Sequence, residues 1–291
     1  MRNFIRTAAA SGLFAAVIAS ALGATFTAKD LATEEATFAA YSVKNGMRAA
    51  FLEFFAEQSW LLRPEPVDAK EWLRARPDPK IILDWKSLRT VLAASGDLGF
   101  STGPWILRSK TDPNAPAAHG QFFSVWQKQK NGGWKVFIDH GISHGATTTP
   151  DALPGTPLNA LDLSAQKIRT DASVEDAERQ FIARGNSPYA EFITPHTRLL
   201  RDGQSPIDGT TAIAEYLKSQ EGQWSWTVKL QGTSRADDFA YAVGNYTWQP
   251  KAGVARKGQY VRVWVRDAGD ATSARWTLAG EVMTAEPPPI T

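Results

Sequence analysis

Two acidic residues occupy matching positions in two similar segments of the sequence. Asp139 follows Trp134 by five residues, and Glu281 follows Trp276 by the same interval. The residues around them are largely β-branched or aromatic, which favours strands. A carboxylate among apolar side chains has a raised pKa and suits general acid or base catalysis. Asp139 is therefore the candidate catalytic residue, and its alternative role is a structural carboxylate that accepts backbone hydrogen bonds or pairs with an arginine.

The chemistry that such an acid supports is proton transfer next to a carbonyl, or a dehydration or cyclisation built on that step. A developing oxyanion then needs a hydrogen-bond donor, and Tyr41 and Gln121 are the candidates. The chain has eleven tryptophans, which suit either cores or an aromatic pocket. Tyr41 and Gln121 are also candidates for lining a small-molecule pocket in the first half of the chain. The other candidates for this lining are Phe54, Trp60, Trp85, Trp105, His119 and Phe123.

Two histidines close to Asp139 do not complete a metal site in this pattern. On a regular strand Asp139 shares a face with Phe137, whereas His140 points to the opposite face. At about 3.3 Å per residue, His140 and His144 lie about 13 Å apart. The sequence also lacks a Gly-x-Ser-x-Gly motif, a phosphate-binding glycine loop and cysteine, so the usual signatures of nucleophilic catalysis and nucleotide binding are missing. We predict no metal and no cofactor.

The two acidic residues belong to a repeated strand-turn-strand unit. The first copy covers 120–141 and turns at Asn131-Gly132-Gly133, which supplies the positive φ angles that a hairpin needs. The second copy covers 258–282, and the matching positions are Gly120 with Gly258, Gln121 with Gln259, Trp126 with Trp264, and Trp134 with Trp276. These pairs are 138 to 142 positions apart. The chain therefore consists of two copies of one domain.

Each copy has helical patterns before its strands, which predicts an α+β fold. We place the first domain at 30–144 and the second at 172–284, with a tail at 285–291. The segment 145–171 is rich in threonine, proline and glycine without periodicity, which is typical of a linker between domains. In the second copy Ser173 and Asp176 are spaced as a helix capping box.

Three motifs of the first copy carry a family resemblance. They read Leu-Gly-Phe-x-x-Gly at 98–103, Gly-x-Phe-x-x-x-Trp at 120–126, and Asn-Gly-x-Trp-Lys-x-x-x-Asp-x-Gly at 131–141. The pattern resembles the SnoaL-like and ketosteroid-isomerase-like branch of the nuclear transport factor 2-like superfamily. The second copy departs from it through a longer turn at 268–274 and through Glu281 in place of aspartate. In catalytic members the base often lies elsewhere, and no residue here clearly matches it.

The resemblance implies a specific architecture. Each domain is expected to be a cone, in which a curved antiparallel sheet wraps around helices and encloses a pocket. Members of this family often pair by packing their sheets together, so a tandem chain is expected to form an intramolecular pseudo-dimer. Their functions include isomerases, cyclases, dehydratases and proteins without known catalysis, so that the fold alone does not decide the activity.

The N-terminus has the pattern of a signal peptide. Arg2 and Arg6 precede an uncharged stretch at 7–24, and Ala19-Ser20-Ala21 fits the small-x-small cleavage rule. We predict a signal peptide at 1–21, hence a periplasmic or secreted protein that does not span a membrane once the peptide is cleaved. An uncleaved membrane anchor is the alternative.

The charge balance argues against a nucleic-acid partner. Removing Arg2 and Arg6 from the 32 basic residues leaves 30, against 30 acidic residues, whereas nucleic-acid binding usually requires a basic face. The leading hypothesis is an exported protein that binds a small apolar or aromatic ligand in the cone pocket. The alternatives are an acid/base enzyme of isomerase, dehydratase or cyclase type, and a protein-association module with an exposed apolar patch.

Overall fold

A computed structural model describes residues 25–63, 65–146, 158–163, 173–184, 189–266 and 275–286. The predicted signal peptide lies outside these ranges, as do residues 287–291 of the predicted tail and the whole of the long turn at 268–274. Within the described ranges, no helix is both long and apolar enough to cross a bilayer.

The first domain has three helices and one eight-stranded sheet. The helices are α1 (Ala28–Asn45), α2 (Met47–Phe54) and α3 (Ala69–Arg74). The strands are β1 (Phe55–Leu62), β2 (Pro66–Asp68), β3 (Ile81–Trp85), β4 (Arg89–Leu92), β5 (Leu98–Ser109), β6 (Ala118–Lys128), β7 (Trp134–His144) and β8 (Asn159–Asp162). The sheet order is β2-β1-β7-β6-β5-β4-β8, and β3 also pairs with β5.

The second domain repeats this order with fewer elements. Its helices are α4 (Val174–Ala183) and α5 (Gly209–Lys218), with a short 3-10 turn at Tyr189–Glu191. Its six strands are β9 (Arg198–Arg201), β10 (Ile207–Asp208), β11 (Gly222–Thr233), β12 (Phe239–Pro250), β13 (Arg256–Arg266) and β14 (Trp276–Ala285). They lie in the order β10-β9-β14-β13-β12-β11. The fold is α+β, as the sequence predicted.

The first helix of each domain begins with a reciprocal cap. In α4 the Ser173 side chain accepts from the backbone N–H of Asp176, and the Asp176 side chain accepts from the backbone N–H of Ser173, which confirms the predicted capping box. In α1 the same exchange joins Thr27 and Asp30. Gly46 ends α1 with φ 97°, a conformation that glycine adopts readily.

Both sheets are mixed, because a few parallel pairs join otherwise antiparallel strands. Strand β1 runs parallel to β7, and β9 runs parallel to β14, at the same place in each domain. A third parallel pair joins β4 to β8. Since β8 lies inside the predicted linker at 145–171, part of that segment is an edge strand of the first sheet and not a simple connector. The domain boundaries themselves stay predictions.

A β-bulge interrupts the same pair of strands in each domain. Val125 pairs with Ile138 and Trp126 with Val136, so that Phe137 is an extra residue in β7. The bulge reverses the alternation of faces beyond it. Val136 therefore points to the helices, Ile138 points to the other domain, and Asp139 again faces inward. The expectation that Phe137 and Asp139 share a face is corrected, since it assumed a regular strand.

The two sheets pack face to face and share one hydrophobic core. Phe100, Phe123 and Ile138 of the first sheet meet Val243 and Val263 of the second in this core. Polar contacts flank it, among them a hydrogen bond of 2.9 Å between His140 Nε2 and Thr284 Oγ1. Each sheet therefore buries its outer face against its partner, while its inner face surrounds its own helices.

Candidate functional site

The cone of the first domain encloses a cavity of about 330 Å³. Helices α1, α2 and α3 close one side of it, and strands β3, β5, β6 and β7 form the other. Its walls are mainly apolar and aromatic, and two carboxylates, Glu35 and Asp139, belong to its lining. This combination of apolar walls with a few convergent polar groups is typical of a small-molecule site.

A larger cavity of about 430 Å³ lies between the two domains, but the acids that line it have protein partners. Asp162 accepts from the backbone of Ala28, which begins α1. Asp237 pairs with Arg266, and Asp238 accepts from the backbone of Ala94. These acids serve the local structure, which leaves the cavity of the first domain as the stronger candidate.

Glu35 is a buried carboxylate on the apolar face of α1. It lies one turn from both Leu31 and Phe38, and it is 1% exposed. The indole nitrogens of Trp85 and Trp126 donate to its two oxygens at 2.7 and 2.8 Å. Burial raises the pKa of Glu35 to about 7, and the charge of Asp139 adds to the rise. The two indole hydrogen bonds lower the pKa, but their effect is smaller than that of burial. Glu35 therefore changes its charge close to neutral pH.

Asp139 lies on β7 and lines the same cavity as Glu35. The Ser124 hydroxyl on the neighbouring strand donates to its carboxylate at 2.8 Å. Burial raises the pKa of Asp139 to about 6, although the Ser124 bond and the charge of Arg63 oppose the rise. Arg63 is an exposed lining residue at the rim. The cavity thus holds two acids whose pKa values lie near the physiological range.

The second domain has two acids in the corresponding places. Glu178 on α4 accepts a bond from the Trp264 indole at 2.6 Å, as Glu35 does from Trp126. Glu281 on β14 pairs with Arg262 across the ladder, as Asp139 pairs with Ser124. Arg262 therefore stands where the first domain has Ser124.

Arg262 fills the centre of the second cone. Its guanidinium donates to Glu281 at 2.6 Å and to Glu178 at 2.9 Å. It lies over three aromatic rings, at 4.0 Å from Phe181, 4.2 Å from Trp226 and 4.0 Å from Tyr260. The whole guanidinium is buried, and both the ion pairs and the rings stabilise its charge.

Two further groups complete this network. Arg201 donates to Glu281 in a short ion pair, and the Tyr189 hydroxyl donates to the same carboxylate at 2.7 Å. Burial alone would raise the pKa of Glu281, but Arg201 and Arg262 lower it below its ordinary value. The second cone is therefore closed by a balanced ion network, whereas the first is an open cavity with two acids.

Three of the residues predicted from the sequence line the first cavity, namely Asp139, Trp85 and Trp105. Phe54 and Tyr41 lie beside it on α2 and α1, where the Phe54 ring stacks on Phe38 at 4.9 Å between centroids. Tyr41 packs edge-on against Phe54 and is 37% exposed. Tyr41 therefore points to the outside, which corrects its expected position as a donor in the pocket.

Four other predicted residues lie away from the cavity. Alternation along β6 directs Phe122 and Ser124 inward, so that Gln121 and Phe123 face the second domain. The Gln121 amide contacts His144 Nε2 at 3.3 Å, and Phe123 packs on Phe100 at 4.4 Å between ring centroids. The remaining two are Trp60, which packs against the core between the domains, and His119, which lies opposite His144 at the start of β6.

The two histidines after Asp139 do not converge with it. His140 bonds Thr284 of the second domain, and burial lowers its pKa to about 3, which keeps it neutral. His144 lies at the end of β7. Across the described part of the chain, no group of three or more acids and histidines is arranged to hold a metal ion.

Sequence reasoning missed Glu35, Ser124 and Arg63. Glu35 had a recognisable signal, since a charged residue stands in the helical stripe formed by Leu31 and Phe38. The same anomaly recurs in the second copy, where Glu178 precedes Phe181 by the same three positions. A charge at a buried helix position needs a partner or a function.

Comparison with known proteins finds similarity at the level of structure. No family model and no curated protein matches the chain. A ketosteroid isomerase-like protein from Erwinia carotovora atroseptica is 15% identical, with a TM-score of 0.34, and the match covers 40% of this chain and 95% of that one. The likeness is one of fold.

Two further solved structures show the same coverage. A nuclear transport factor 2-like protein of unknown function from Shewanella oneidensis is 14% identical over 38% of this chain and 92% of that one, with a TM-score of 0.30. A SnoaL-like protein from Jannaschia sp. CCS1 is 12% identical over 40% of this chain and 90% of that one, with a TM-score of 0.30. Each match covers about two fifths of this chain and most of the other chain.

Proposed function

We propose that the first domain binds a small molecule with an apolar or aromatic body, whose polar group faces Glu35 and Asp139. The observation that carries this proposal is the cavity of about 330 Å³, in which aromatic walls converge on two buried acids. The second domain has no equivalent role, because Arg262 occupies its centre. Its part is to support the first domain through the shared core.

Acid/base catalysis is the second candidate function, and the two raised pKa values favour it. Groups that titrate at about 6 and about 7 accept and return protons readily near neutral pH. Asp139 remains the candidate acid/base, with Glu35 as its partner. Arg63 at the rim replaces Tyr41 and Gln121 as the candidate donor to a developing oxyanion. The reaction would be an isomerisation, dehydration or cyclisation.

An association module fits less well. Five large apolar side chains are exposed among the described residues: Tyr41, Val43, Leu158, Leu161 and Val254. They come from three separate segments of the chain, whereas a docking surface requires a contiguous apolar patch. The sheet faces that relatives often use for pairing are already buried inside this chain.

We also propose that the protein is exported to the periplasm or secreted. The support is the charged, apolar and small-residue pattern of its first 21 residues. A location outside the cytoplasm would give the cavity access to external compounds.

A cavity-filling variant tests the binding proposal. Leu83 lines the cavity, so Leu83→Trp should fill part of it, whereas Val43→Trp adds the same ring on the exposed side of α1. A thermal-shift screen with neutral, cationic and anionic aromatic compounds should yield ligands that stabilise the wild type. These shifts should disappear in Leu83→Trp and persist in Val43→Trp. A screen without any shift, or with shifts that Leu83→Trp retains, would contradict the proposal.

A further inference from the structure

Two acids and three aromatic rings surround the guanidinium of Arg262 in the second cone, and we call this set of acids and rings the framework. Arg262 places a guanidinium between Glu178 and Glu281 and over the rings of Phe181, Trp226 and Tyr260. Arg201 and the Tyr189 hydroxyl complete the network by donating to Glu281. The framework is thus a complete receptor for a planar organic cation, supplied here by the chain itself.

The first cone has the same framework around its cavity. Glu35 corresponds to Glu178 because each accepts from the matching tryptophan indole, and Asp139 corresponds to Glu281 because each has the same strand register. The corresponding rings also line the cavity and belong to Phe38, Trp85 and Phe122. Two relationships identify them.

The first relationship is the strand register. Trp85 pairs with Trp105 as Trp226 pairs with Tyr246, and Phe122 pairs with Gly103 as Tyr260 pairs with Gly244. The second relationship is the ring packing around the helices. Phe38 meets Trp126 edge-on with centroids 6.3 Å apart, and Phe181 meets Trp264 edge-on at 5.8 Å. The first cone lacks the cation, since Ser124 is too short to supply it, and there the Trp85 indole donates to Glu35.

The charges of the two cones differ in the same way. In the second cone Glu178 and Glu281 face Arg201 and Arg262, so that two negative charges meet two positive ones. Of the two positions that hold these arginines, the first cone has an arginine at only one, which is Arg63 at the rim of the cavity lined by Glu35 and Asp139. The first cone therefore has one negative charge in excess when both acids are ionised. A buried charge of this kind favours either a proton or a cationic ligand.

We propose that the first cavity binds an organic cation whose guanidinium or amidinium group lies between Glu35 and Asp139 and over the rings of Phe38, Trp85 and Phe122. The proposal rests on the proposed function, because it names the class of small molecule that the cavity takes. A planar cation with N–H donors on two sides serves both carboxylates at once, as Arg262 does, and its faces stack on aromatic rings. The rest of the ligand extends toward Leu83, Leu107 and Trp105.

Benzamidine and benzamide form a matched pair of probes for this proposal. They have the same shape, but benzamidine is a cation, whereas benzamide is neutral and directs a carbonyl oxygen at one of the acids. Calorimetry on the whole chain at pH 8 should show binding of benzamidine at least tenfold tighter than that of benzamide. The affinity for benzamidine should fall as the pH decreases from 8 to 5, because protons then compete for Glu35 and Asp139.

Variants of the two acids test whether the cationic group of benzamidine lies between Glu35 and Asp139. Glu35→Gln and Asp139→Asn should each weaken benzamidine binding at least tenfold, while Glu34→Gln, on the same helix but outside the cavity lining, should leave it unchanged. Ser124→Arg introduces the arginine of the second cone and should abolish binding. If Ser124→Arg does not fold by circular dichroism, the two acid variants and the probe pair still decide the question.

The outcomes separate this inference from the proposed function. Equal binding of benzamide and benzamidine, or binding of neutral compounds alone that Leu83→Trp removes, overturns the cation but leaves a small-molecule site. Benzamidine binding that survives both acid variants also overturns it, since the cation then lies elsewhere. Failure of every class of compound to bind overturns both.

Discussion

Ser124 and Arg262 occupy the same position in the two sheets, and each faces the acid of the neighbouring strand. The Ser124 hydroxyl donates to Asp139 at 2.8 Å, and the Arg262 guanidinium donates to Glu281 at 2.6 Å. With Ser124 at this position the first cone has a cavity and two acids of raised pKa. Arg262 fills the second cone with an ion network in which the pKa of Glu281 is lowered.

The first prediction concerns the pH dependence of stability. The folded protein holds a proton on Glu35 up to about pH 7, while an unfolded glutamate releases it near pH 4.5. Unfolding therefore becomes easier as pH rises through this window, and the loss is complete above about pH 7. Glu35→Gln removes the titrating group. The free energy of unfolding of Glu35→Gln minus that of the wild type should therefore increase by roughly 3 kcal/mol as the pH rises from 4.5 to 8.

Urea titrations at several pH values measure this difference. Glu34→Gln is the matched control, since it removes a glutamate from the same helix without touching the cavity lining. Parallel pH profiles for the wild type and Glu35→Gln would show that Glu35 has an ordinary pKa in the folded protein.

The second prediction concerns Arg262. Its removal leaves Glu178 and Glu281 buried with less positive charge, so Arg262→Ala should lower the free energy of unfolding by about 3–5 kcal/mol. Arg235 is the control, because its ion pair with Asp97 lies at the surface and its side chain is 73% exposed. Arg235→Ala should cost no more than about 1 kcal/mol. Equal losses in chemical denaturation would argue against a structural role for the buried network.

The third prediction applies to catalysis. If a metabolite screen identifies a substrate, Asp139→Asn should reduce the turnover rate by about 10²-fold or more, because it keeps the size of the side chain but removes proton transfer. The pH–rate profile of the wild type should bend near 6 and 7, where the two acids titrate. Unchanged turnover in a folded Asp139→Asn protein would return Asp139 to a structural role.

The fourth prediction is export. Protein recovered from its native host should begin near Leu22 or Ala24, as determined by N-terminal sequencing, and should be found outside the cytoplasm. Replacing the apolar stretch at 7–24 with a polar sequence should retain the chain inside the cell. Intact Met1 in a cytosolic fraction of the unmodified protein would contradict the prediction.

The repeated strand-turn-strand pattern was readable because its determinants are local. Strand residues alternate or cluster over a few positions, Asn131-Gly132-Gly133 specifies a turn by itself, and Ser173 caps a helix through a residue three positions away. The tandem arrangement of two α+β units followed from such patterns. The orientation of Gln121 and Phe123, which face the second domain and not the pocket, did not follow, because alternation tells which residues share a face but not which face meets the helices.

The site itself was decided by tertiary structure. Trp134 and Asp139 are an odd number of positions apart, and both face inward only because a bulge opposite Val125 and Trp126 adds one residue. Glu35 meets the Trp126 indole across 91 positions of sequence, and its pKa depends on burial that only the folded chain creates. Local sequence determines the elements, whereas the packing of distant elements determines which charges lose their solvent and find a partner.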